Sequence, residues 1–316
     1  MTGGIEPKLI IHGGAGSAIK SEESLIAVRH ELHQIVETVY QKLAAGEDAK
    51  SAVVLACRLL EDNPRFNAGT GSVLQSDGQI RMSAALMDGA AQRFSGVINA
   101  SRLQHPIDLA EHLQTFHDRV LSDYGAADLM RELGTPLFDP LTELRLQEWL
   151  RERSEGFKHE MAGVVAESAL ANSSARRGTI GVVALDNQGR IAAGTSTGGK
   201  GLERIGRVSD SAMPAGNYAT ADAGISCTGI GEDIIDECLA ARIVIRVTDG
   251  MALSQAFDKS FAEADRNQRE FGAIGIDRSG RIAWGKTTEV LLSAYHNGYE
   301  LGDALEMGKG TKTASC

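Results

Sequence analysis

Residues 176–197 read RRGTIGVVALDNQGRIAAGTST, and the architecture turns on how they are parsed. Thr179 to Leu185 is an uncharged run rich in β-branched and small apolar residues, the signature of a buried strand. Asp186-Asn187-Gln188-Gly189 then reads as a turn, and Arg190 to Gly194 as a second strand. The pattern returns in GAIGIDRSGRIAWG (272–285), which matches GVVALDNQGRIAAG (181–194) at seven of fourteen positions. Asp-x-x-Gly-Arg turns recur through turn chemistry alone, so the echo predicts two similar hairpins in one sheet system. Upstream, residues 154–178 (SEGFKHEMAGVVAESALANSSARRG) lack a sustained apolar period and end in small, polar and basic residues, the composition of a flexible linker. The sharpest compositional boundary therefore falls between Gly178 and Thr179.

Working outward, Lys8 to Ile11 reads as a short buried strand that runs into a glycine turn, His12-Gly13-Gly14-Ala15-Gly16. Leu25, Val28, Leu32, Ile35, Val39 and Leu43 then mark an amphipathic helix closed at Gly46. A second helical pattern spans Ala49 to Glu61 and stops before Pro64. Strand-like runs follow at Gln79 to Met87 and Phe94 to Asn99, then helical patterns at about 107–121, 125–134 and 139–153. Beyond the first hairpin come a strand from Gly224 to Cys227 and a helix from about Glu232 to Val247. Strands in clusters and helices in clusters predict an α+β fold of packed antiparallel sheets with helices outside, not a βαβ alternation. A dinucleotide site is disfavoured as well. Gly229-x-Gly231 opens a helix after a strand, but Ile234 stands where the third glycine belongs, and no Gly-Lys-Ser/Thr follows any loop.

The 316 residues suit two domains or one large one. A formal charge of −10, from 42 acidic and 32 basic residues, argues against nucleic acid as partner and leaves small molecules or peptides. Glycine is in excess, 36 residues or about 11% against a usual share of about 7%, and marks places where backbone approaches backbone or ligand. Cys57, Cys227, Cys238 and Cys316 are scattered without two-residue spacing, so neither zinc nor a redox dithiol is suggested. No run of about 18 apolar residues occurs, and the amino end carries no targeting pattern, so a soluble cytoplasmic protein with no membrane partner is expected.

Chemistry enters at Thr179. From Gly-Thr alone it is a β-branched residue starting a strand. If the peptide bond before it were cut, its α-amine would become a base with an ordinary pKa of about 8, within reach of its own hydroxyl. Its surroundings raise that possibility to a family resemblance. RRGTIGVVALDNQGRIAAGTSTGGKGLERIGRVSDSAMPAGNYA and ISCTGIGED, with HGGAG near the start, FNAGTGS in the middle and MDG at 87–89, resemble the plant-type asparaginase and isoaspartyl peptidase family of N-terminal-nucleophile hydrolases. The motifs fall in order over nearly the whole chain. The resemblance implies a four-layer αββα sandwich, made as one chain that cleaves itself between Gly178 and Thr179 into an α subunit (1–178) and a β subunit (179–316).

It further implies that Thr197 hydrogen-bonds the nucleophile, that Thr228 and Gly229 form the oxyanion hole, and that Asn67 faces the nucleophile. Arg207 and Asp210 would clamp the α-carboxylate and α-amine of an L-aspartyl unit, with Gly231 lining the same pocket. No cofactor is implied for the chemistry. Main-chain carbonyls of Leu60, Glu61, Asn63, Phe66, Ala68 and Thr70 match a loop that wraps a structural sodium ion in relatives, and the assembly expected is a dimer of αβ heterodimers. The substrates implied are isoaspartyl dipeptides and L-asparagine, with a glycosylasparaginase as the alternative and a non-catalytic binding protein of the same fold behind it. Ser209 and Ala212 replace the glycine and proline frequent in close relatives, which bears on pocket shape. Gly178 replaces the aspartate typical of the glycosylasparaginase branch, which ranks that alternative second.

Overall fold

A computed structural model describes residues 5–17, 19, 21–156 and 178–314. In chain order the elements are β1 (Lys8–Gly16), α1 (Glu22–Ala44), α2 (Ala49–Asp62), β2 (Met82–Asp88), β3 (Arg93–Ala100), α3 (Pro106–Leu113), β4 (Val120–Ser122), α4 (Asp123–Glu132) and α5 (Glu143–Ser154). After the boundary come β5 (Ile180–Leu185), β6 (Ile191–Thr197), β7 (Asn217–Ala219), β8 (Ala223–Gly229), α6 (Gly231–Glu237), α7 (Leu239–Thr248), α8 (Leu253–Arg266), β9 (Phe271–Asp277), β10 (Ile282–Lys286), β11 (Val290–His296), β12 (Leu301–Asp303) and β13 (Gly310–Ala314). One sheet has eight strands in the order β12-β11-β1-β5-β6-β2-β3-β4, and the other has five in the order β13-β10-β9-β8-β7. Neighbouring strands are antiparallel except the β3–β4 pair, which is parallel.

Three buried clusters separate four layers. Val28, Leu32 and Val39 of α1 and Val53, Cys57 and Leu60 of α2 pack on Leu9, Ile11, Val182 and Ala84 of the large sheet. Between the sheets, Ile10, Val183, Leu185 and Ile191 meet Ile274, Ile276, Ile282 and Trp284. Outside the small sheet, Ile243 and Val244 of α7 and Phe257 and Phe261 of α8 cover Ile225, Cys227, Phe271 and Ala273. Side chains alternate faces along a strand, so Leu9 and Ile11 face helices while Ile10 faces the other sheet. Both faces are apolar environments, which is why the strand runs are unbroken hydrophobic stretches rather than alternating ones. The expected αββα sandwich is present.

Local chemistry sets the helix ends. The Ser21 hydroxyl accepts the Ser24 N–H to open α1, and Asp48 accepts the N–H groups of Lys50 and Ser51 to open α2. Gly46, at φ +101, turns the chain out of α1.

The structure corrects several sequence expectations. HGGAG is not a turn: β1 continues through Gly16 in the middle of the large sheet, with a register shift between His12 and Ala15 and Gly14 at φ +132. Small residues permit that bulge without ending the strand. The helix expected over 107–121 stops at Leu113, because Val120–Ser122 pairs with Gly96–Ile98 of β3 instead. The helix expected over 232–247 is two helices, broken at Cys238 (φ 46), since the amides of Ala240 and Ala241 bond to the carbonyls of Ala215 and Pro214. The two matching hairpins lie one in each sheet, β5–β6 and β9–β10. Of the linker expected over 154–178, Ser154 still belongs to α5, and residues 157–177 lie outside the described residues, as does Cys316.

Candidate active site

The large sheet delivers a threonine to its end next to β1 and β6. Thr179 precedes the first residue of β5 and is buried, and its hydroxyl donates to the Thr197 Oγ1 at 3.2 Å. Thr197 closes β6, accepts the Gly199 N–H at 3.1 Å, and lies 3.4 Å from the Gly178 carbonyl oxygen. That carbonyl also accepts the Asn67 Nδ2–H at 2.8 Å. A second hydrogen from the Asn67 amide goes to the Gly199 carbonyl at 2.6 Å, while its Oδ1 accepts the Val73 N–H. Asn67 thus holds the Gly178 carbonyl and the turn after Thr197 together.

His12 crosses between the sheets. Its Nδ1 lies 2.9 Å from the Thr179 carbonyl oxygen and its Nε2 lies 2.8 Å from the Ser226 Oγ of β8. Complete burial lowers its pKa to about 3, against a smaller opposing effect of the Thr179 carbonyl, so the ring is neutral. A neutral ring satisfies both contacts when Nδ1–H donates to the carbonyl and Nε2 accepts from the hydroxyl. The fit is close: a Cβ on Gly181 would lie 2.0 Å from the Ser226 Oγ.

Two residues beyond Ser226, the Thr228 hydroxyl is fully buried and has no hydrogen-bond partner among the described residues. An orphan donor of this kind is costly unless something charged is to fill the space beside it. Gly229 follows at φ +137, with its Cβ position 2.6 Å from the Phe271 Cα, so no other residue would fit. Hydroxyl and backbone N–H are the donor set of an oxyanion hole.

A charged group lies two residues on. A Cβ on Gly231 would sit 2.5 Å from the Arg207 Nη2 and 2.8 Å from the Asp210 Oδ1, so this glycine lets both charged side chains approach the backbone at the start of α6. Asp210 is buried, and its Oδ2 has no partner among the described residues. Burial pushes its carboxyl up to about 6, against the pull of Arg207. Arg207 bonds Glu203 through Nη1 at 2.9 Å and Glu232 through Nε and Nη2 at 3.0 and 3.2 Å. Glu232 is half exposed; although partial burial acts the other way, Arg207 holds its carboxyl down to about 2.

The structure brings Thr179, Thr197, Asn67 and Gly178 into direct contact, and Arg207, Asp210 and Gly231 side by side, as the sequence reading grouped them. His12, read from sequence as structural, touches Thr179 itself. Glu203 and Glu232 were missed; the only available signal was the four-residue spacing from Glu203 to Arg207. In the loop after α2, the carbonyls of Leu60, Glu61 and Asn63 each accept a backbone N–H. Glycine lets them crowd, since a Cβ on Gly69 would lie 2.4 Å from the Glu61 oxygen and one on Gly71 2.9 Å from the Phe66 oxygen. A carbonyl oxygen has two lone pairs, so each of these three keeps acceptor capacity.

Two stacked, mainly antiparallel sheets under helices on both sides are the architecture of the N-terminal-nucleophile hydrolase fold. The sequence model described as asparaginase matches residues 5–306, and the chain belongs to that family. It is 64% identical over 312 residues to an isoaspartyl peptidase/L-asparaginase of Nostoc sp., covering 98% of each chain. It is 63% identical to a protein of the same name from Synechocystis sp., over 96% of this chain and 92% of that one. Against the isoaspartyl peptidase of Escherichia coli the identity is 36%, over 91% and 92%. No helix among the described residues is long and apolar enough to cross a membrane.

Proposed function

We propose that the chain cuts itself between Gly178 and Thr179 and then hydrolyses β-aspartyl dipeptides and L-asparagine through Thr179. The observation that carries this reading is the grip on the scissile peptide. The Gly178 carbonyl is held by Asn67 and lies near the hydroxyl of Thr197, which also takes the Thr179 hydroxyl. In the first step the Thr179 Oγ attacks the Gly178 carbonyl carbon while Asn67 stabilises the oxyanion. The C–N bond breaks as the nitrogen takes a proton, and water hydrolyses the resulting ester, leaving a Gly178 carboxylate and a free Thr179 amine.

In the mature protein that amine takes the Thr179 hydroxyl proton as Oγ attacks the substrate's side-chain carbonyl carbon. Thr228 and Gly229 receive the oxyanion, the proton passes to the departing amine, and water frees L-aspartate from the acyl ester. Arg207 and Asp210 hold the α-carboxylate and α-ammonium, the unit that asparagine and a β-aspartyl peptide share. The names of the relatives from Nostoc, Synechocystis and Escherichia coli support this substrate class. The carbonyls of Leu60, Glu61, Asn63, Phe66, Ala68 and Thr70 would hold a sodium ion that stiffens the loop carrying Asn67. The assembly is a dimer of αβ units.

Mass measurement of the purified protein is the test, with a β-aspartyl dipeptide, L-asparagine and GlcNAc-asparagine assayed in parallel. Two fragments meeting at 178/179 and turnover of the first two substrates are expected, with one intact inactive chain for Thr179→Ala. An intact wild-type chain after long incubation, or preference for the glycosylated substrate, would defeat the proposal.

A further inference from the structure

Arg207 is surrounded by carboxylates of different character. Glu232 reaches it from the surface, is half exposed and also meets Lys200 at 3.3 Å. Glu203 reaches it from behind, with its side chain only 2% exposed. The Glu203 carboxylate accepts three hydrogen bonds: from Arg207 Nη1 at 2.9 Å, from the Lys200 backbone N–H at 3.0 Å, and from Gln75 Nε2 at 2.8 Å. Gln75 is fixed in turn, its Oε1 accepting from Arg81 and its backbone carbonyl from the Trp149 indole. A charge-assisted bond from a buried, fully partnered carboxylate to one guanidinium nitrogen fixes the plane of the fork, whose Nε and Nη2 meet the half-exposed Glu232.

The same carboxylate sits against the nucleophile's support. A Cβ on Gly199, itself at φ +88, would fall 2.3 Å from the Glu203 Oε1. The N–H of Gly199 donates to the Thr197 hydroxyl and its carbonyl accepts from Asn67. One buried carboxylate therefore touches both the arginine assigned to the substrate's α-carboxylate and the turn that holds Thr197.

We infer that Glu203 is a positioning residue for substrate recognition: it locks the Arg207 guanidinium in the orientation that reads the α-carboxylate of the aspartyl unit. The inference rests on the assignment of Arg207 to that carboxylate. Removing Glu203 frees Nη1 and lets the side chain swing toward Glu232, whose charge is already on the fork, so the defect falls on binding of the α-carboxylate. A simple charge effect would act in the opposite sense, because losing a nearby anion makes Arg207 more attractive to any carboxylate.

A substrate pair separates these outcomes. The first substrate is a β-aspartyl dipeptide; the second is the same dipeptide with the aspartyl α-carboxylate replaced by an amide. Release of the leaving amino acid is followed per mole of cleaved Thr179, so incomplete self-cleavage does not enter. Wild type prefers the acid, and Arg207→Leu abolishes that preference. Glu203→Ala is expected to cut the preference by about tenfold through KM for the acid, with kcat within about threefold. Glu203→Gln should fall between, since it keeps an acceptor for Arg207 but sets an amide donor against Gln75 or the Lys200 N–H; it also serves if the alanine variant does not fold. An unchanged or increased preference in the Glu203 variants, with Arg207→Leu still abolishing it, overturns the role of Glu203 alone. Equal preference in wild type and Arg207→Leu overturns the assignment of Arg207 as well.

Discussion

Asp210 sets a trade between recognition and stability that can be measured. An aspartate has an ordinary pKa of 3.8, and burial pushes Asp210 up to about 6 in the folded chain. The raised folded value means that the fold disfavours the ionised form. The cost is absent below the unfolded pKa, grows as pH rises from about 4 through 6, and is fully present above that. A difference of about two units corresponds to roughly 3 kcal/mol of folding free energy forgone near pH 8. Asp210→Asn removes the charge. Its amide would occupy the place where Oδ2 lacks a partner, which gives back about 1 to 2 kcal/mol for an unsatisfied buried donor. The net gain is about 1 to 2 kcal/mol, a rise in melting temperature of about 1.5 to 3 °C for a chain of this size. The comparison is best made in a Thr179→Ala background, so that both proteins are uncut. At pH 8 the asparagine variant should melt higher; at pH 4.5, where Asp210 is largely protonated, the gap should close or reverse. In the cleavable protein the same substitution should lower kcat/KM for L-asparagine by at least about 100-fold, and the wild-type value should fall as pH drops below about 6. A variant that melts at or below its parent at pH 8, or shows the same gap at both pH values, refutes the reasoning.

Thr228→Val deletes the orphan hydroxyl without changing its volume, and kcat should fall by about 100- to 1,000-fold with KM little altered, as steady-state kinetics on the cleaved protein would show. Gly231→Ala places a methyl 2.5 Å from the Arg207 Nη2, so KM should rise at least tenfold while kcat holds within a few fold. Asn67→Leu removes the donor at 2.8 Å from the Gly178 carbonyl; self-cleavage should slow by at least about tenfold, followed as loss of the intact chain by electrophoresis.

How much of this was legible beforehand follows from what each feature depends on. Thr179, Arg207 and Asp210 stand in short motifs that resemble those of a known family, and it is that resemblance that groups them in the sequence. The layers were legible too, because the apolar runs at 9–11 and 180–185 announce strands buried on both faces. What stayed hidden depends on partners distant in sequence. Glu203 needs Gln75, 128 residues away, to be recognised as a fixed group rather than one more surface acid. His12 looks inert in a glycine run until β1 is threaded between β11 and β5 and the ring spans to Ser226, 214 residues on. The break at Cys238 arises from loop carbonyls at Pro214 and Ala215 that no helical periodicity in 232–247 could reveal.

The strand order also decides what a cut at 178/179 would leave behind. Reading the large sheet across, β12 and β11 belong to the later segment, β1 to the earlier, β5 and β6 to the later, and β2, β3 and β4 to the earlier. Three ladders, β11–β1, β1–β5 and β6–β2, would therefore join the two fragments by backbone hydrogen bonds. The small sheet lies wholly in the later segment, yet its inner face buries Ile10 and Met87 of the earlier one. Neither fragment would keep a complete core without the other, so a chain length that first suggests two domains would, once cut, describe two interleaved polypeptides. They are expected to co-elute in native size exclusion and to part only in denaturant. Separation under native conditions would contradict this sheet order. Interleaving would also let the proposed nucleophile be made late, because a new amine at Thr179 would appear beside a strand already clamped on both sides by β1 and β6.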